Sequence, residues 1–128
     1  SELPRHVAAI ESDIGNGLIQ GFSIDVGGLK PAGEARQAAA LRQLQALAPG
    51  LEPLGAARFD KGGSGVDVGP MVAAGVPGLG ARHVLTKYWD IHHTAADTFD
   101  KIDKQDLRKN LAILASLLHL LGELPERP

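Results

Sequence analysis
The sequence has no cysteine. That excludes disulfides, thiolate nucleophiles and sulfur-ligated metals, so any metal site must be built from histidine, aspartate and glutamate. A predominance of one charge is also missing: 13 Lys and Arg stand against 15 Asp and Glu, for a net charge of −2 and a pI near 6.2. Such a balance leaves no electrostatic footprint for a phosphate backbone, so nucleic acid is not an expected partner. No apolar run approaches the ~18 residues a membrane-crossing helix needs, and no membrane partner is expected either. The opening SELPRHVAAIESD lacks the basic-then-apolar layout of a signal peptide. What is present, 44% hydrophobic and 22% charged residues over 128 positions, is the composition of one globular domain spanning 1–128.

Apolar patterning orders the chain into strands alternating with helices. HVAAIE (6–11) reads as a buried strand bounded by Pro4 and by a turn over Gly15–Gly17. LIQGFSIDV (18–26) reads as a second strand with Gly21 a bulge, ended by Gly27 and Gly28. Residues 33–48 form a helix rich in Ala, Leu and Gln, with Ala38, Leu41, Leu44 or Gln45, and Ala48 on one face and Pro49 and Gly50 as its stop. AARFD (56–60) is a short strand. Val68–Gly75 is a short helix with Pro70 in its first turn, and VPGLGA (76–81) is another strand. The last helix is the clearest: Leu107, Leu111, Leu114, Leu118 and Leu121 recur at steps of 4, 3, 4 and 3, widened by Ile113, Leu117 and Leu120. Asp103 is its predicted N-cap and Gly122 its C′ residue. That stripe belongs either against a sheet or in a self-associating coiled coil. The whole predicts an α/β fold of three layers, a mainly parallel sheet with helices on both faces, with no internal repeat or linker.

Three clusters could carry chemistry. Glu11-Ser12-Asp13 follows the first strand, and side chains at carboxyl ends of strands face a crevice in open α/β sheets. Asp13 is placed either for a ligand role there or for a turn. Residues 88–98 hold the single Trp, the single Tyr and two of the five His, with no helical or strand periodicity. Neutral imidazole suits Zn²⁺, and Asp90 and Asp97 are near enough in sequence to accept a ring N–H. Thr94 and Asp97 could equally form a local turn or cap. The third cluster is Gly62-Gly63-Ser64-Gly65-Val66-Asp67-Val68-Gly69-Pro70. It brushes a dinucleotide fingerprint, but there is no Walker Gly-Lys-Ser/Thr and Asp90 is the only acidic residue near the expected ribose-binding distance. The better expectation is a loop lining a pocket beside the other two clusters, with Asp67 at its mouth.

In this order the three clusters resemble the C-terminal half of the cocatalytic dizinc exopeptidases, the family of aminopeptidase Y, carboxypeptidase Q and glutamate carboxypeptidase. The matching stretches are Glu11-Ser12-Asp13 with Gly15, Gly62 to Asp67 with Gly69-Pro70, Ala74-Gly75-Val76-Pro77, and His92-His93-Thr94-x-x-Asp97-Thr98 with Asp100-Lys101-Ile102-Asp103. HVAAIESD and the doubled His are most similar to bacterial carboxypeptidase Q-like members. The resemblance implies a partial zinc-exopeptidase (phosphorylase/hydrolase-like) fold and a parent enzyme removing terminal residues from small peptides with two zinc ions. It gives Asp13 as ligand of one zinc and His93 of the other. Asp67, Tyr88 and Trp89 become pocket residues, and Asp97 and His92 supporting ones.

The chain departs from the family upstream. The family's His-x-Asp segment, with the bridging carboxylate, and its Glu-Glu pair, with the general base, lie before the Glu-Ser-Asp strand, and the twelve residues preceding Asp13 contain neither. One ligand per zinc remains against the three or four of a tight site. The expectation is a portion of a longer peptidase, inactive alone, binding zinc weakly or not at all. The sequence does not give the compartment; the resemblance allows a periplasmic or secreted parent and the sequence neither supports nor excludes it. The expected partners are a peptide substrate, the missing N-terminal half and, through an uncovered sheet edge, a second copy of the chain. The alternative is a non-catalytic binding or assembly module that keeps the fold.

Overall fold
A computed structural model of the chain describes residues 2–14, 17–27 and 31–128, except for the side chains of residues 31 and 32. Four strands form one sheet: β1 (Ala9–Glu11), β2 (Ile19–Asp25), β3 (Arg58–Lys61) and β4 (Gly78–His83), in the order β1-β4-β2-β3. β1 and β4 are parallel, as are β2 and β3, while β2 meets β4 antiparallel with a register shift between Ile19 and Gly21. The irregularity expected at Gly21 falls just before it, at residue 20, inside a mainly parallel sheet.

The helices are α1 (Pro31–Gln45), α2 (Ala48–Leu51), α3 (Gly69–Ala73), α4 (Tyr88–Ile91) and α5 (Lys104–Gly122), with short 3₁₀ turns at Leu3–Arg5, Glu52–Leu54 and Phe99–Lys101. Strand alternation sends Phe22, Ile24, Leu79 and Ala81 to one face, where they join Ala40 and Leu44 of α1 and Ile113, Leu117 and Leu121 of α5 in a buried core. Each large side chain fully buried there contributes roughly 1.5–3 kcal/mol. The opposite face carries Ser23, Gly78 and Gly80. A Cβ on Gly78 would come within 2.5 Å of Val72 on α3 and of Ser64. Helices thus cover both faces, the long ones over large apolar residues and α3 over small ones.

Several boundaries and faces differ from the sequence expectations. The first strand is shorter, because His6 and Val7 are exposed and only Ala9 is buried. α1 buries Gln37, Ala40 and Leu44 while Ala38 is exposed. Gln37 accounts for that rotation: its Oε1 accepts the Val26 N–H at 3.0 Å and its Nε2 donates to Ile24 O at 2.6 Å, satisfying backbone groups at the end of β2. Pro49 and Gly50 do not stop a helix. α1 has already ended at Gln45, and Pro49 enters the first turn of α2, where its missing N–H costs no bond. Gly50 there allows close approach to Leu120 of α5.

On α5, Asp103 is the N-cap, accepting the Gln105 and Asp106 N–H groups at 2.7 and 3.0 Å. Gly122 is the last helical residue, and the C-cap is Glu123 in right-handed conformation. The core takes Asn110, Ile113, Leu117 and Leu121, whereas Leu107, Leu111 and Leu118 are 55%, 67% and 59% exposed. Much of the 4-3-4-3 stripe therefore forms an uncovered ridge. Residues 88–91, expected to lack periodicity, form the single turn α4. The turn expected at Gly15–Asn16 and the strand end at Gly28 fall outside the described residues.

Candidate functional site
β1 ends at Glu11, so Ser12 and Asp13 leave the sheet at its carboxyl edge, as the position of the motif requires. The parallel neighbour β4 delivers the chain to the same edge, and the segment after it returns over the strand ends. Asp13 and His93, from opposite ends of the sequence, consequently line one cavity of about 170 Å³ together with Tyr88, Ile91, His92, Asp97, Lys101 and Ile102.

Three neighbouring rings organise the histidine side. Tyr88 stacks on His92 with ring centres 4.3 Å apart, and His92 stacks on His93 at 3.8 Å. The Tyr88 hydroxyl lies 3.2 Å from His92 Nε2. His93 has φ +56°, the left-handed region, and is alone among the described non-glycine residues in doing so. Holding a histidine there costs backbone energy that the surrounding structure must offset, a pattern concentrated at functional sites. Thr94 makes the local turn: its hydroxyl donates to Ile91 O at 2.7 Å and accepts the Ala96 N–H at 3.2 Å. Among the described residues no hydrogen bond joins Asp90 or Asp97 to a histidine ring. Trp89 lies edge-on to Tyr88 and His92 but is 72% exposed and outside the cavity.

Next to Lys101 and Ile102 of the cavity lie two carboxylates that do not line it. The Asp100 carboxyl is lowered to about 2, first by its bond from the Lys101 ammonium and then by the Thr98 hydroxyl at 2.5 Å. Asp103 is also lowered, by the Asp106 and then the Gln105 N–H groups that it caps.

The glycine loop lies against the small face of the sheet. Buried Ser23 donates to Gly63 O at 2.6 Å. Its following N–H groups have a ligand already: Glu11 accepts from Val66 at 3.2 Å, Asp67 at 2.7 Å and Val68 at 3.2 Å. Gly65, at φ +112°, is required because a Cβ there would overlap the Glu11 carboxylate. The N–H groups that a phosphate would need are thus taken by the chain's own carboxylate. Asp67 takes part through its backbone. Its side chain is exposed and does not line the cavity of Asp13 and His93.

Glu11 was visible in the sequence as part of Glu-Ser-Asp, but its role depends on a loop more than fifty residues away and had no local signal. The same holds for Arg82, which joins Glu11, Asp13 and Ser64 around a smaller cavity of about 60 Å³. Among the described residues no group of three or more His, Asp or Glu converges as a metal site. Asp13 and His93 supply one oxygen and one nitrogen donor, which suits part of a zinc donor set and is too few to complete one.

No protein-family model matches the chain. A solved peptidase M28 precursor from Shewanella amazonensis superposes with a TM-score of 0.79 at 32% identity, covering 99% of this chain and 27% of that one. The chain is related to the M28 peptidases. Carboxypeptidase Q of Mus musculus is 28% identical over 99 residues, 77% of this chain and 20% of its own length. Carboxypeptidase Q of Homo sapiens is 27% identical over 124 residues, 97% of this chain and 24% of its own. The chain therefore spans about a quarter or less of these carboxypeptidases. The M28 similarity extends over the mixed sheet and the helices that pack on it.

Proposed function
We propose that the chain is a portion of a zinc-dependent exopeptidase that removes terminal residues from small peptides, contributing Asp13 to one zinc and His93 to the other. The observation that carries this is the meeting of Asp13 and His93 in one cavity, joined to the relationship with peptidases. When bound, the zinc pair would supply an activated water and polarise the scissile carbonyl.

The chain's own residues hold and shape. Asp13 is exposed and has no cationic partner among the described residues, so its carboxylate is free to accept a metal. His93 is backed by His92, which the Tyr88 hydroxyl steadies. Tyr88, His92 and Ile102 wall the space a substrate residue would enter, with Asp97 at its side. Asp67 and Trp89 stand outside it and would meet only more distant parts of a peptide.

With one ligand for each ion, the isolated chain binds zinc weakly and does not hydrolyse peptides. Its partner is the remainder of the peptidase, which would pair with the free edge of β1 and cover the Leu107, Leu111 and Leu118 ridge; self-association is the competing use of those surfaces.

Calorimetric titration with Zn²⁺ tests the assignment. Asp13→Ala and His93→Ala should each weaken uptake at least about tenfold, as loss of a ligand at a sparse site requires. Identical uptake by all three proteins would remove the assignment and favour a non-catalytic module.

A further inference from the structure
His83, the last residue of β4, bridges the two ends of the segment that presents Asp13. Its Nδ1 lies 2.7 Å from Gly17 O. A carbonyl only accepts, so Nδ1 carries the proton, and the neutral ring offers its Nε2 lone pair on the other side. That nitrogen lies 3.3 Å from Ser12 Oγ, whose hydroxyl donates to it. One ring therefore ties the residue immediately before Asp13 to the residue four positions after it.

The far end has a second anchor. Buried Asn110 donates Nδ2–H to the same Gly17 O at 2.9 Å and accepts the Ile19 N–H at 2.8 Å, while Val84 N–H bonds Leu18 O at 2.9 Å. A Cβ on Gly17 would overlap Val84 O, so this approach needs glycine. Gly17 is thus fixed to the core without His83, whereas among the described residues Ser12 has no side-chain partner but His83.

We propose that His83 is a positioning residue for Asp13: through Ser12 and Gly17 it fixes the backbone that carries this carboxylate to the cavity. Its relevance to zinc rests on the assignment of Asp13 above; the clamp itself does not.

The test is backbone ¹⁵N relaxation of the chain, resolved by residue, for the wild type, His83→Ala, Ser12→Ala, the double variant and His83→Gln. The clamp predicts that order parameters at Asp13 and Ile14 drop toward about 0.6 in either alanine variant, with Ile24 and Leu79 unchanged. The double variant should be no more mobile there than either single one, and His83→Gln, which can both donate and accept, should restore most of the order. A drop spread evenly through β2 and β4, additive effects of the two alanines, or no change at Asp13 would each overturn it. Ser12→Ala alters an exposed hydroxyl, so it remains informative if His83→Ala does not fold. A Zn²⁺ titration of the same proteins separates the two claims: order parameters behaving as predicted while zinc leaves Asp13 unperturbed would sink the ligand assignment and leave the clamp standing.

Discussion

The two faces of the sheet use opposite chemistry. On one, Phe22, Ile24, Leu79 and Ala81 present volume to α1 and α5, and the face is sealed by apolar contact. On the other, Ser23, Gly78 and Gly80 present almost none, and a glycine loop approaches closely enough for Ser23 to reach Gly63 O at 2.6 Å. The first face holds the molecule together. The second brings a loop within reach of Glu11, two residues before Asp13, and so ties the candidate site to the sheet. Bulk stabilises, and its deliberate omission makes room for a directed hydrogen-bond network.

The sharpest way to break this comparison is to subtract volume from one face and add it to the other. Phe22→Ala should cost about 3–5 kcal/mol in urea denaturation, the usual loss for a buried aromatic. Gly78→Ala should cost about 1–3 kcal/mol by overpacking against Ser64 and Val72. Its second signature is specific to the loop: faster amide exchange at Val66, Asp67 and Val68 as their bonds to Glu11 loosen. A Gly78→Ala protein with unchanged loop exchange would show that the small face does not position the loop.

α5 repeats the contrast on one helix. Ile113→Ala, in the core, should cost about 2–4 kcal/mol, while Leu111→Ser on the uncovered ridge should change stability by no more than about 0.5 kcal/mol in this chain. A large loss from Leu111→Ser would mean that a second copy already covers the ridge.

The smallest effect is on pH. Folding lowers Asp100 and Asp103 below the 3.8 of an ordinary aspartate, Asp100 to about 2. Their contribution is therefore complete above about pH 5 and is lost as the pH falls through the folded values. Asp103→Asn keeps an oxygen to cap α5, so its melting temperature should fall less on acidification than that of the wild type.

Much of this was legible in the sequence, for reasons that can be named. Period-two and period-3.6 patterning located the strands, α1 and α5, and Asp103 announced its helix because capping is a local interaction. Which stripe of α5 would be buried was not legible: leucines surround the helix, and Asn110, the polar residue that bonds Gly17 and Ile19, fixes the inward face. Gln37 turned α1 in the same manner. At the site, Asp13 and His93 were visible as motif residues, whereas the roles of Glu11 and His83 arise from the pairing of β1 with β4 and the return of the glycine loop. Such partners are dictated by register, which no local pattern encodes.

The most direct test of the central claim, that Asp13 and His93 face one metal-binding cavity, is an NMR titration of the chain with Zn²⁺. The account predicts that the Asp13 backbone and the His93 ring both shift as Zn²⁺ is added, while His6 and His119 stay in place. Zinc that shifts His6 and His119 as much as His93, or moves His93 without Asp13, would contradict it.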